Sequence, residues 1–178
     1  MTPTEEIRFL CDAMLGGLSR WLRAMGYEAG FDGWIDDGEL VRRAGLEGSV
    51  LLSSDAPLFE RNALRSGRVR GLFVPRHAPI DEQVVFVMRH FALAVREPRC
   101  MRCGGALAEA AREAVRGEAP ARAFERCDRF WRCAECGQLF WHGTHWTHIA
   151  ETRDAVARAV AQVNVSLRTL AFGSSVRQ

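Results

Sequence analysis

Apolar residues first gather in three short runs bounded by polar or turn residues: IRFLC at 7–11, VLLSS at 50–54 and GLFVP at 71–75. Short, almost uninterrupted apolar runs are what strands buried on both faces of a parallel sheet require. Between them the period changes. Leu15, Leu18, Leu22 and Met25 recur at spacings of three and four, Arg20 and Arg23 fall on other faces, and Gly26 stops the helix. Further helices are predicted at 36–44, 56–66 and 81–94, and EAGFD reads as an edge strand. Strand alternating with helix predicts an α/β domain with a parallel sheet over residues 1–97.

The pattern shifts at Glu97 and Pro98. From there to His148 the chain holds five of its six cysteines, three of its five histidines and three of its five tryptophans. An Ala/Arg/Glu-rich stretch at 107–118 predicts a helical insert in this second module, 98–148. The remainder, 149–178, opens with an amphipathic segment to 163, Ala and Val on one face and Arg on the other, which predicts a C-terminal helix packed back on one of the modules.

Charge narrows the picture only a little. With 24 basic and 22 acidic residues the net charge is +2, so any basic surface is local. Every basic residue is Arg, which excludes chemistry that needs a lysine amine, Schiff bases and the P-loop lysine included. No stretch reaches the roughly 18 apolar residues of a membrane span, and MTPTEEIRF lacks the basic and apolar regions of a leader. A soluble, cytoplasmic protein is expected.

In such a setting two C-x-x-C pairs read as metal ligands before disulfides. Cys100 and Cys103 precede Gly104, and Cys133 and Cys136 precede Gly137. Each is a knuckle whose tight turn lets both thiolates face one ion, and four sulfurs suit tetrahedral Zn²⁺ in a closed structural site. Twenty-nine residues separate the pairs, longer than a common ribbon spacing of roughly 15 to 20, and the insert accounts for the excess. Cys11 reads as a small core residue. Cys127 has no partner at knuckle spacing and stays outside the site. His142, His145 and His148 in WHGTHWTH could form a second metal site, or could be solvated while Trp141 and Trp146 cover the zinc core.

Asp12 follows the first strand and Asp55 the second apolar run, the sheet edge where ligands gather in parallel α/β folds. Both also stand immediately before a helix, so the spacing fits N-caps and metal ligands alike. Asp36 with Glu39 reads as a capping box. Asp37, one residue further in, has no such structural reason. Clustered carboxylates repel unless a cation joins them, and hard oxygen donors select Mg²⁺ or Mn²⁺. Asp32 and Asp81 read as ordinary surface residues.

RFLCDAMLGGLSRWLRAMGY, DDGELVRRA, VLLSSD, CMRCGGAL and FWRCAECGQLFWHGTHW, in that order over residues 7–148, resemble the PIN-like RNase family named after the C-terminal domain of the mutator-seven exonuclease, with its zinc ribbon. The resemblance implies a three-layer PIN-like fold and divalent-metal RNA cleavage. Asp12 matches the family's first acid, Asp37 the acid opening the second helix, and Asp55 the acid after the third strand. Where the family usually has T-R-D this chain has Ser53, Ser54 and Asp55, and an arginine that could touch phosphate is missing.

The resulting expectation is an endoribonuclease using Asp12, Asp37 and Asp55 with Mg²⁺ or Mn²⁺, and a structural Zn²⁺ at the four cysteines. Arg20, Arg23, Trp141, His145 and Trp146, with Arg126, Arg129 and Arg132 of the ribbon, would grip single-stranded RNA by charge and stacking. Gly16 and Gly17 in the first helix suggest a close approach there. Two other classes stay open: a non-catalytic RNA- or protein-binding adaptor whose acids are caps, and a toxin-like RNase silenced by an inhibitor protein.

Overall fold

The computed structural model describes residues 6–172; the expected C-terminal tail beyond them lies outside the described residues. Four parallel strands, Arg8–Cys11 (β1), Glu28–Phe31 (β2), Val50–Ser53 (β3) and Gly71–Phe73 (β4), form a sheet in the order β2-β1-β3-β4. β1 and β3 are central, which is why their residues are apolar on consecutive positions. Phe9, Cys11, Val50 and Leu52 enter one core, and Leu10 and Leu51 enter the other. EAGFD is the edge strand it was expected to be.

The first core is closed by Gly16–Ala24 (α1) and Ile80–His90 (α5), with Leu18, Leu22, Val84, Val87 and Met88 inside it. The second is closed by Asp37–Glu47 (α2), through Leu40, Val41 and Ala44, and by two single turns, Ala56–Phe59 (α3) and Asn62–Arg65 (α4). Three layers result. Fully burying one such aliphatic side chain contributes about 1.5–3 kcal/mol, so each helix is held mainly by its apolar stripe.

Two predicted helices differ from those observed. The 56–66 segment breaks because Arg61 takes an extended ψ of 136°, and the break lets Phe59, Ala63 and Leu64 all reach the second core. The helix expected to run to residue 94 ends at His90. Ala92 turns left-handed (φ 51°), the Leu93 amide donates to the Met88 carbonyl at 2.8 Å, and Leu93 and Val95 fold back onto the first core.

The second module is a three-stranded antiparallel sheet, Leu107–Ala110 (β5), Phe130–Cys133 (β6) and Leu139–Trp141 (β7), over a small core of Val115, Phe130 and Leu139. The helical insert expected at 107–118 is corrected: its first four residues are β5 and Arg112–Val115 is a 3-10 turn, followed by the short helix Ala121–Arg126 (α6). Helix propensity differs by no more than about 0.7 kcal/mol per ordinary residue, and pairing of Leu107–Ala110 with β6 outweighs it.

The last helix, Thr144–Phe172 (α7), begins just before the HWTH stretch rather than at 149. It runs from the ribbon onto the α/β layer, where Val156 and Val160 join the first core and Arg89 Nη2 donates to the Ala159 carbonyl at 2.6 Å. Among the described residues no helix is long and apolar enough to cross a membrane.

Candidate metal centre and nucleic-acid interface

The ribbon folds its two knuckles onto each other. In the first, the Gly104 amide donates to the Cys100 carbonyl at 2.7 Å with φ at +90°; in the second, the Gly137 amide donates to the Cys133 carbonyl at 3.1 Å with φ at +70°. Both turns need a residue that tolerates the left-handed region, hence glycine. The ligand atoms of Cys100, Cys103, Cys133 and Cys136 all lie within 4.8 Å of one another, with Sγ–Sγ separations of 3.7 Å (Cys100–Cys136) and 3.4 Å (Cys103–Cys133). Sulfurs at about 2.3 Å from a tetrahedral Zn²⁺ stand about 3.8 Å apart, so the donor set fits that ion.

The protonation chemistry agrees. Burial raises Cys100 and pushes Cys103 up to about 12. Desolvation is the largest single influence on Cys133 and acts upward, but the Cys136 and Glu135 amides and the Cys103 and Cys136 thiols together lower that thiol to about 7. A divalent cation is what allows all four sulfurs to ionise together. Cys127 is buried in the ribbon core and Cys11 in the sheet, where desolvation lifts its thiol to about 12, so both are packing residues.

The acids sit where the sheet's strand order reverses. Chain flow leaves β1 toward α1 on one face and β3 toward α3 on the other, opening a crevice at the carboxyl ends of these two neighbours. Asp12 and Asp55 flank it. Asp12 is only 7% exposed: its Oδ1 accepts from the Met14 amide at 2.7 Å and its Oδ2 accepts from the Ser53 hydroxyl. Ser53 Oγ in turn accepts from the Asp55 amide at 2.9 Å, so one buried serine couples the two acidic loops.

Asp12 is therefore a cap as well as an acid on the crevice. Asp55 occupies an N-cap position without making the cap bond, and its carboxylate has no hydrogen bond or ion pair among the described residues. Asp37 opens α2 near the same edge and meets Arg61 at 3.5 Å, both half-exposed. Asp36 caps α2 through the Gly38 and Glu39 amides at 2.8 and 3.1 Å, while Glu39 binds Arg42 instead of closing the box. Among the described residues the four cysteines alone form a group of three or more ligand-type side chains within 4.8 Å, so the three aspartates do not converge to that distance.

Between α1 and the ribbon runs a cavity of about 820 Å³. Of the residues expected from sequence to grip RNA, Arg20, Arg23, Trp141, His145 and Trp146 line it, whereas Arg126, Arg129 and Arg132 do not. Trp146 stacks on Trp131 with centroids 4.8 Å apart and planes 6° from parallel, and the Arg129 guanidinium lies 5.0 Å from the Trp131 ring. Arg23 is not a free cation. It is 7% exposed and donates to the carbonyls of Ala29 (2.8 Å), Met101 (3.2 Å) and Arg102 (2.8 Å), which ties α1 and β2 to the first knuckle.

Arg129 and Arg132 are paired with Glu109 and Glu118 at 3.2 and 2.8 Å. His142 and His148 are exposed and outside the cysteine cluster. Sequence reasoning missed Phe31, Met14 and Arg102, which complete the groove wall. The signal for one of them was present: a side chain at Gly16 would meet the Phe31 ring at 2.8 Å, so the glycine marks that close approach. At Gly17 the nearest atom would be 3.5 Å away, an ordinary contact.

No solved structure matches the chain. Over 109 residues it is 34% identical to a human protein named "Exonuclease mut-7 homolog", an alignment that covers 57% of this chain and 12% of that protein. The model of the Mut7-C RNAse domain family matches residues 7–153, from the residue before β1 to the first third of α7, and thus takes in both the acidic crevice and the cysteine cluster. The chain belongs to the Mut7-C RNAse domain family.

Proposed function

We propose that this protein is a divalent-metal-dependent endoribonuclease with a PIN-like α/β domain, acting on single-stranded RNA held between that domain and the zinc ribbon. The family and the name of the human relative point to a nuclease. The observation that carries the finer reading is the continuity of groove and crevice: Ala13 and Met14, next to Asp12, form one end of the groove whose far wall is Trp141, His145 and Trp146.

The hard oxygen donors at the crevice fit Mg²⁺ or Mn²⁺ better than a softer ion. Asp12, fixed by Met14 and Ser53, and Asp55, whose carboxylate has no partner among the described residues, would hold it. Asp37 joins them by leaving Arg61, an exposed pair of the kind worth about 0–1 kcal/mol. When bound, the cation orients a phosphodiester and supplies a nucleophilic hydroxide at neutral pH. The chain's own groups do the rest. Arg20 and Arg102 neutralise backbone phosphates along the groove, and Trp141, Trp146 and Phe31 offer ring surface to bases.

Incubating the purified protein with structured and unstructured RNAs, with and without Mg²⁺ or Mn²⁺, tests this. Cation-dependent internal cleavage, lost in Asp12→Asn, is expected; an intact RNA panel overturns it. The adaptor reading draws on the capping role of Asp12, which gives the acid a structural reason to exist. Calorimetric titration with Mn²⁺ separates the two: saturable binding abolished by Asp55→Asn is expected for the nuclease, and no binding for the adaptor.

A further inference from the structure

A second cavity, of about 490 Å³, shares Met14 with the groove and continues past Asp55. Ser54, Phe73, Pro75, Arg76 and His77 form its other walls. The loop that carries Arg76 and His77, between β4 and α5, is fixed from both sides. Ser54 Oγ donates to the Val74 carbonyl at 2.7 Å and the Val74 amide donates to the Ser53 carbonyl at 2.8 Å. From the helix side Gln83, only 7% exposed, donates its side-chain amide to the carbonyls of Ala78 at 2.9 Å and Arg76 at 3.4 Å. A buried amide that holds two loop carbonyls keeps the backbone under Arg76 in one conformation.

The Arg76 guanidinium itself has no hydrogen bond or ion pair among the described residues. Phe73 stands 43% exposed, steadied by an edge-on contact with Phe59 at 6.0 Å. An exposed, unpaired guanidinium on a fixed backbone, lining the same cavity as the Asp55 carboxylate and the Phe73 ring, has the chemistry of a nucleotide site: the fork takes a phosphate and the ring takes a base.

We propose that this cavity is a nucleotide subsite on the RNA track, in which Arg76 and His77 bind the backbone phosphate next to the one at Asp12 and Asp55, while Phe73 stacks on the adjoining base. The subsite rests on the RNA-processing reading of that edge. It gives the chain a phosphate-binding arginine on the β4–α5 loop, where Ser54 offers none, and it makes the track open on both sides of the acids.

The test is fluorescence anisotropy with a labelled unstructured ten-nucleotide RNA on the zinc-loaded protein, with no Mg²⁺ or Mn²⁺ added so that the RNA stays intact, at several salt concentrations. Arg76→Ala is expected to weaken binding about tenfold and to reduce the slope of log affinity against log salt by about 0.7, one phosphate contact on a single strand. Gln83→Leu, which frees the loop while leaving Arg76 in place, is expected to weaken binding to a smaller extent. Arg68→Ala, in the turn before β4 at the opposite end of the sheet, is expected to change neither. Wild-type affinity and slope in Arg76→Ala overturn the subsite even if the protein cuts RNA. A protein that shows the Arg76 effect yet cuts nothing with Mg²⁺ or Mn²⁺ keeps the subsite and overturns the nuclease, and a wild type that binds no RNA overturns both.

Discussion

Asp12 carries two duties with its two oxygens. One caps the turn that follows β1, and the other accepts from Ser53, which is fully buried on the neighbouring strand. Asparagine can keep the cap and the contact with Ser53 but not the negative charge. Asp12→Asn is therefore expected to cut at least about 100-fold more slowly while unfolding in denaturant within about 1 kcal/mol of wild type. Asp12→Ala loses the cap, about 1 kcal/mol, and leaves the serine hydroxyl short of an acceptor at a further cost of about 1–3 kcal/mol. Asp36→Ala loses the same kind of cap and is expected to leave cleavage intact. At this scale sequence shows the acid and its position before a helix, but cap and ligand demand the same spacing, and only the neighbouring strand's Ser53 shows that Asp12 is both cap and crevice wall.

Elements end where backbone conformation and packing jointly require it. Gly26 closes α1 with φ at +95°, and a side chain there would meet Arg96 Cβ and the Glu97 carbonyl, each at 2.6 Å. Gly48 closes α2 with φ at +65° and has nothing within 4 Å. Gly48→Ala is thus expected to cost about 1–2 kcal/mol, the left-handed penalty alone, whereas Gly26→Ala adds a steric clash with the segment leading to the ribbon and is expected to cost at least about 2 kcal/mol more. Equilibrium unfolding of the two variants checks the difference. The strands and α1 were legible because each is specified by its own apolar pattern. The break at Arg61, the reversal at Ala92 and the β5 strand were not, since a distant core or a partner strand imposes each of them.

The two modules act as one body through Arg23. Its three donated bonds join α1, β2 and the first cysteine knuckle, and the Arg99 amide returns one to the Arg23 carbonyl at 2.9 Å. Arg23→Met keeps the aliphatic packing and removes the donors. It is expected to retain zinc, to speed amide exchange at residues 99–105 at least about tenfold and to weaken RNA binding; exchange unchanged from wild type would refute the coupling. Metal analysis is expected to find one zinc per chain, lost in Cys100→Ser and kept in His145→Ala. Because Cys100 and Cys103 are raised and hold their protons at neutral pH, zinc binding releases protons and its affinity rises with pH, weakening further as pH falls through the value near 7 that Cys133 holds. Calorimetry in buffers of different ionisation enthalpy measures that release.

What the amino-acid order determined alone was local: two cysteine knuckles with their glycines, buried strands from consecutive apolar residues, and acids at strand ends, each written within a few neighbouring positions. The fold alone decided which of these meet. It put Asp12 and Asp55 just past the ends of adjacent strands, turned Arg23 from a surface cation into a bolt between modules, and laid Trp141 and Trp146 across a groove from α1. Those relations depend on strand order and on which face each helix covers, and both are set by the summed packing of residues far apart in the chain, which no local pattern records.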